Sequence, residues 1–119
     1  MNKNDYIIRS ETENDYFEVE NLAREAFWNL SVPGCNEHYY MHVMRKHEAF
    51  IPELSYVAVV DGRIIGSIMY SKSMLIDENG IEKPIVSMGP LCVSPDYQRK
   101  GYGKRLLEFT FELVKKMGY

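Results

Sequence analysis

At 119 residues and a net charge of −3, the chain has room for one globular domain, residues 1–119, with a single modest core. The slight acidic excess excludes the broad basic face of a general nucleic-acid binder, and no run of about 18 apolar residues offers a membrane-crossing helix. Met1-Asn2-Lys3-Asn4-Asp5 lacks the apolar centre of a signal peptide, and Cys35 and Cys92 stand far apart without a disulfide-scaffold spacing; together these point to a reducing cytoplasm with both cysteines as thiols.

Tyr6-Ile7-Ile8-Arg9 reads as a short first strand. Thr12 or Asn14 then caps a helix, with Asp15 and Glu18 near its positive end. Tyr16, Val19, Leu22, Ala23, Ala26 and Phe27 recur at helical spacing, so this helix buries one face. Ser31-Val32-Pro33-Gly34-Cys35 breaks it. A second helix is expected from Asn36 to Glu48, with Tyr40, Val43, Met44 and His47 as its stripe. Tyr56 to Val60 is a strand, Asp61-Gly62 a tight hairpin turn, and Arg63 to Leu75 a long strand. Asp77-Glu78-Asn79-Gly80 makes the next turn, and another strand runs from Lys83 to Val93. A last helix from Gly103 to Met117 buries Leu106, Leu107, Phe111, Leu113, Val114 and Met117, with Gly118 suited to a left-handed cap.

The chemistry concentrates in Leu91-Cys92-Val93-Ser94-Pro95-Asp96-Tyr97-Gln98-Arg99-Lys100-Gly101-Tyr102-Gly103-Lys104-Arg105-Leu106-Leu107. A strand ends at a proline turn, and a basic, glycine-spaced loop opens straight into a helix. Unpaired N–H groups at the positive end of a helix suit a phosphate or pyrophosphate. Gly101 and Gly103 remove Cβ atoms that would hold an anion off the backbone. Gln98, Arg99, Lys100 and Lys104 add donors and charge. A dinucleotide fingerprint would need glycine where Leu106 stands, and a P-loop would need Ser or Thr where Arg105 stands. The plain alternative is a glycine turn entering a surface helix with solvated basic residues.

Gln98-Arg99-Lys100-Gly101-Tyr102-Gly103 resembles the acetyl-CoA pyrophosphate loop of the GNAT superfamily of N-acetyltransferases, and the frame from Gly89-Pro90-Leu91 through Val93, Pro95, Tyr97 and Gln98 to Leu107 agrees. The segment from Cys35-Asn36-Glu37-His38 to Phe50-Ile51-Pro52-Glu53-Leu54 also looks like a subgroup of small bacterial members. The resemblance implies an α/β (α+β) fold, a mixed and mostly antiparallel sheet with flanking helices. It implies acetyl-CoA as cosubstrate, with cofactor-binding residues at Leu91, Cys92, Val93, Gln98, Arg99, Lys100, Gly101, Tyr102, Gly103 and Lys104. Pro90 cannot donate within a ladder and marks a bulge, a break or a simple strand end. By the resemblance the strand bulges there, pantetheine lies along the main chain of residues 91–93, and a backbone N–H near Leu91 polarises the thioester carbonyl.

The implied reaction is acetyl transfer to a primary amine by direct attack, without a metal or a covalent intermediate. The acceptor is a small molecule or a peptide amine, not nucleic acid or a membrane. No residue declares itself as the general base. Glu37 and His38 stand where the loop enters the second helix, where the family shapes its acceptor site, although a helix cap or a surface group is the plainer account of each. Tyr70 on the long strand is a further candidate, against ordinary strand packing. Cys35, His38 and His42 form a thin zinc constellation without a fourth ligand, and Cys92 reads as a core cysteine rather than a nucleophile. The chain ends at Lys116-Met117-Gly118-Tyr119, where the family's next strand would begin, so the expectation is a domain without its C-terminal strands. An open sheet edge would then permit a homodimer. The alternative function is a non-catalytic CoA-binding or subunit-pairing module.

Overall fold

The computed structural model describes residues 6–27 and 37–119, the side chains of residues 27 and 37–40 excepted. A first strand, β1 (Ile7–Ser10), leads through a 3-10 turn (Glu13–Asp15) into α1 (Tyr16–Phe27). Helix α2 (Glu37–Met44) follows, then β2 (Tyr56–Val60), β3 (Arg63–Ile76), β4 (Glu82–Val93) and α3 (Tyr102–Lys116). The four strands form one sheet in the order β1-β2-β3-β4, each pair antiparallel. The expected α+β architecture, with helices flanking a mostly antiparallel sheet, is the one observed.

Local chemistry explains the turns. Asp61 (φ 52°) and Gly62 (φ 77°) both take left-handed backbone, the conformation that matches a two-residue hairpin to strand twist. At the far end, Asp77 Oδ1 accepts from the N–H groups of Asn79 and Ile81 at 2.8 and 2.9 Å. Thr12 caps the α1 entry: its N–H and Oγ1 both donate to Asp15 Oδ2. Gly118 (φ 89°) closes α3 with N–H bonds from Gly118 to Lys115 O and from Tyr119 to Val114 O, the paired bonds of a Schellman ending.

Each face of the sheet carries its own core. Under α1 and α2 lie Val19, Leu22, Ala23, Met41, Val57, Ile64, Met69 and Cys92. Under α3 lie Leu54, Ala58, Ile65, Ile68, Tyr70, Tyr102 and Leu106. Helix α3 sits close because Gly66 has no side chain: a Cβ there would stand 3.1 Å from Leu106 Cδ1.

Three expectations need correction. Helix α2 stops at Met44 rather than Glu48, because Lys46 and His47 make tight i→i−3 bonds and Ala49 N–H turns to His47 Nδ1. Its buried anchor is Met41, whereas Val43 is 46% exposed and His47 is exposed. On α3 the buried line runs Tyr102, Leu106, Thr110, while Phe111 and Met117 are about half exposed. Thr110 fits that line because its hydroxyl bonds Leu106 O and Tyr70 Oη inside the core.

Strand β2 pairs with β3 only as far as Ile68. From Lys72 onward β3 and β4 continue as a two-stranded ribbon, with Met74, Leu75, Ile76 and Ile81 each at least half exposed.

Candidate functional site

The site begins with an irregularity in β4. Ile68 pairs with Leu91, but Tyr70 pairs with Met88, so β4 holds one residue more than β3 over this stretch. The surplus falls at Gly89-Pro90, a cis peptide with Gly89 at φ 138°. Pro90 has no N–H to give a ladder, and Gly89 occupies backbone space that other residues avoid. The expected bulge at Pro90 is therefore present. Beyond it Leu91, Cys92 and Val93 pair regularly with Ile68, Ser67 and Gly66. Among the described residues, the other edge of β4 has no strand beside it.

The strand then hands over to the loop. Ser94 N–H donates to Ile65 O at 2.7 Å, and Tyr97 N–H returns to Ser94 O at 2.8 Å across a 3-10 turn (Pro95–Tyr97). Arg99 (φ 64°) and Gly101 (φ 89°) both sit in the left-handed region. Arg105 N–H makes the first α3 bond, to Gly101 O. The N–H groups of residues 101–104 thus precede the helical ladder at its positive end. A Cβ at Gly101 would meet nothing within 4 Å, so this backbone is open to approach. Arg99, Lys100 and Lys104 are exposed around it.

Around the loop, Gly103, Tyr102, Gln98 and Cys92 also have neighbours of their own. A Cβ at Gly103 would lie 3.4 Å from Val93 Cγ2 and 3.7 Å from Leu91 Cδ2; this glycine faces β4, not the open end of the helix. Tyr102 is 8% exposed and stacks edge-on with Tyr6 (5.5 Å) and Tyr97 (5.9 Å). The Gln98 amide Nε2 donates to Val93 O at 2.9 Å. Cys92 points into the core beneath α1 and α2. Arg105 lies over the Tyr6 ring at 5.1 Å, and Lys100 faces Tyr97 at 5.7 Å. This aromatic brace was not legible in the sequence: only the i, i+5 spacing of Tyr97 and Tyr102 hinted at it, and Tyr6 comes from the far end of the chain.

Candidates for acid–base work are less assembled. Tyr70 is 1% exposed, its hydroxyl is 2.7 Å from Thr110 Oγ1, and burial pushes the phenol upward. It packs in the α3 core. Glu37 and His38 lie in the first turn of α2, their side chains outside the described residues, as is Cys35. His42 Nδ1 stands 3.2 Å from Glu20 Oε1. No group of three or more His, Cys, Asp and Glu able to hold a metal occurs among the described residues. No helix among them is long and apolar enough to cross a membrane.

The α1–α2 side is instead organised by ion pairs. Arg45, its side chain 4% exposed, bonds Glu11 and Glu20 at 2.7 Å each and lies 4.0 Å over the Tyr16 ring. Ser55 Oγ completes the cluster by donating to Glu11. Arg9 grips Asp15 through both oxygens and holds its carboxyl at about 2, below the ordinary 3.8. A cleft of about 190 Å³ between α1 and the start of β3 is lined by Phe17, Glu18, Glu25 and Arg63, among others.

The model of the acetyltransferase (GNAT) family matches residues 16–119. The uncharacterized N-acetyltransferase YjhQ of Escherichia coli strain K12 is 32% identical over 72 residues, 60% of this chain and 39% of that protein. A GNAT family acetyltransferase from Brucella melitensis, solved with acetyl-CoA, superposes with a TM-score of 0.81 at 28% identity, covering 96% of this chain and 71% of the other. The GNAT family N-acetyltransferase YhbS of Escherichia coli, solved with CoA, gives 0.78 at 25% identity over 96% and 58%. The chain therefore spans about two fifths of the curated relative's length and 58–71% of these two structures.

Proposed function

The chain belongs to the acetyltransferase (GNAT) family, and we propose that it binds acetyl-CoA and transfers the acetyl group to a primary amine by direct attack. One observation carries the reading: a bulged strand runs into a loop whose left-handed Gly101 opens the first N–H groups of α3. The N–H groups of residues 101–104 and the side chains of Arg99 and Lys100 would take the pyrophosphate. The main chain of residues 91–93, along the outer edge of β4, would receive pantetheine. The Leu91 N–H would stabilise the oxyanion as the amine attacks the thioester carbon; the thiolate leaves, and the amine's proton passes to a base or to water. Positioning of amine and thioester contributes most of the acceleration, on the order of 7–11 kcal/mol in well-oriented systems. The two relatives solved with acetyl-CoA and CoA support the cosubstrate. A metabolite, a drug-like amine and a peptide amine all fit the acceptor role.

The outer edge of β4, without a neighbour among the described residues, favours a second reading as a CoA-binding or subunit-pairing module. Calorimetry with acetyl-CoA, followed by a thiol-release assay over an amine panel, separates the two. Binding with turnover that survives chelator and Cys92→Ala supports direct transfer, and binding without turnover on any amine supports the module. Absence of binding removes both. Arg99→Ala is expected to weaken acetyl-CoA by a few-fold at low salt and by less near 1 M, where the screening length falls to about 3 Å.

A further inference from the structure

We propose that Gln98 is a positioning residue that locks the end of β4 to the anion loop, and that its amide does not serve the phosphate. The inference rests on the acetyl-CoA reading above and deepens it.

Val93 is the last residue of β4 paired with β3, opposite Gly66. The sheet's final backbone bond comes one residue later, from Ser94 N–H to Ile65 O. Past that point the chain must reverse, pass through two left-handed residues at 99 and 101, and enter α3 in register. A non-glycine residue such as Arg99 adopts positive φ only where its surroundings fix it. Two ties supply that constraint. Tyr97 is held by its N–H on Ser94 O and by its ring against Tyr102. The residue between Tyr97 and Arg99 is Gln98, whose Nε2 reaches back five positions to Val93 O at 2.9 Å.

The carbonyl that Gln98 engages belongs to the same strand segment proposed to carry pantetheine. The residue after it begins the turn of the phosphate cradle. One side chain thus sets the spacing and tilt of two backbone surfaces that a single extended ligand must touch together. A ligand with groups at both ends gains from both only if that spacing is already set. Gln98 has the reach of a phosphate donor, but its amide donates to a main-chain carbonyl whose orientation it fixes.

Gln98→Ala and Gln98→Met remove the donor; methionine keeps the length of the side chain. Affinities for CoA by calorimetry, and for pantetheine by amide chemical-shift titration, are compared on the same variants. Pantetheine lacks the pyrophosphate. The expected result is a similar loss for both ligands, about two- to tenfold as for one hydrogen bond. Arg99→Ala, the phosphate control, is expected to weaken CoA and leave pantetheine unchanged. A loss confined to CoA overturns the proposal and makes Gln98 a phosphate ligand. Undiminished affinity for both ligands overturns it as well. Failure of the unaltered chain to bind either ligand would remove the acetyl-CoA reading itself, a result distinguishable from the other two.

Discussion

Alanine at Gly101 and alanine at Gly103 should move stability in opposite directions, although the two glycines flank a single tyrosine. At Gly101 the backbone holds φ 89°, and the added methyl would meet nothing within 4 Å. The cost is therefore conformational, about 1–2 kcal/mol for a left-handed L-residue. It is offset by about 0.4–1 kcal/mol from the stiffer unfolded chain. A net loss of about 0.5–1 kcal/mol remains. Gly103 lies within α3, and its added methyl would touch Val93 Cγ2 at 3.4 Å, an ordinary contact. Alanine there gains helix propensity, up to about 1 kcal/mol. Urea unfolding at constant slope measures both values. CoA calorimetry adds the second readout: Gly101→Ala puts a methyl in the open cradle and weakens binding, whereas Gly103→Ala puts its methyl against β4 and does not. Equal stability of the two variants would refute the conformational argument. Undiminished CoA affinity in Gly101→Ala would refute the cradle.

The Arg9 pair holds the Asp15 carboxyl at about 2, below 3.8, so its ionised form favours the fold. That contribution is complete above pH 4 and is lost as pH falls from about 4 through 2. It is worth about 1–2 kcal/mol after allowance for the partly exposed guanidinium, and Asp15→Asn should flatten the acid limb of the unfolding profile. Arg45→Met takes from buried Glu11 and half-buried Glu20 the guanidinium that they share. The expected loss is about 3–5 kcal/mol, read by thermal unfolding, with partial recovery on adding Glu11→Gln. Tyr70→Phe removes a core hydroxyl while Thr110 keeps its bond to Leu106 O. The expected cost is about 1 kcal/mol, with CoA affinity unchanged; a changed affinity would move Tyr70 from the core to the site.

What the sequence disclosed was local. Asp61-Gly62 announces a hairpin because its turn needs only two residues, and the glycine-spaced loop announces a strand-to-helix junction because its signals lie within seven. The long strands and the ending of α3 were legible from apolar runs between turn signals and from Gly118. Contacts between distant residues were not. Arg45 meets Glu11 and Glu20 across 34 and 25 positions, and no periodicity encodes such a meeting. Thr110 reads as a polar interruption in α3 until Tyr70, 40 residues earlier, is placed beside it. The neighbours of Gly103 were hidden for a related reason: glycine in a loop and glycine against a strand look alike until the partner strand is located.

The order of the strands has a consequence for how the molecule comes together. From Tyr56 onward each element packs on one already made: β3 on β2, β4 on β3, and α3 on all three. The loop and its ties belong to this uninterrupted stretch, Tyr6 being the one long-distance member. Assembly by near neighbours closes short loops first and keeps their entropy small. Helices α1 and α2 occupy the opposite face, in a core of their own against the sheet. The sheet thus parts the core under α1 and α2 from the core under α3, with a layer of backbone between them.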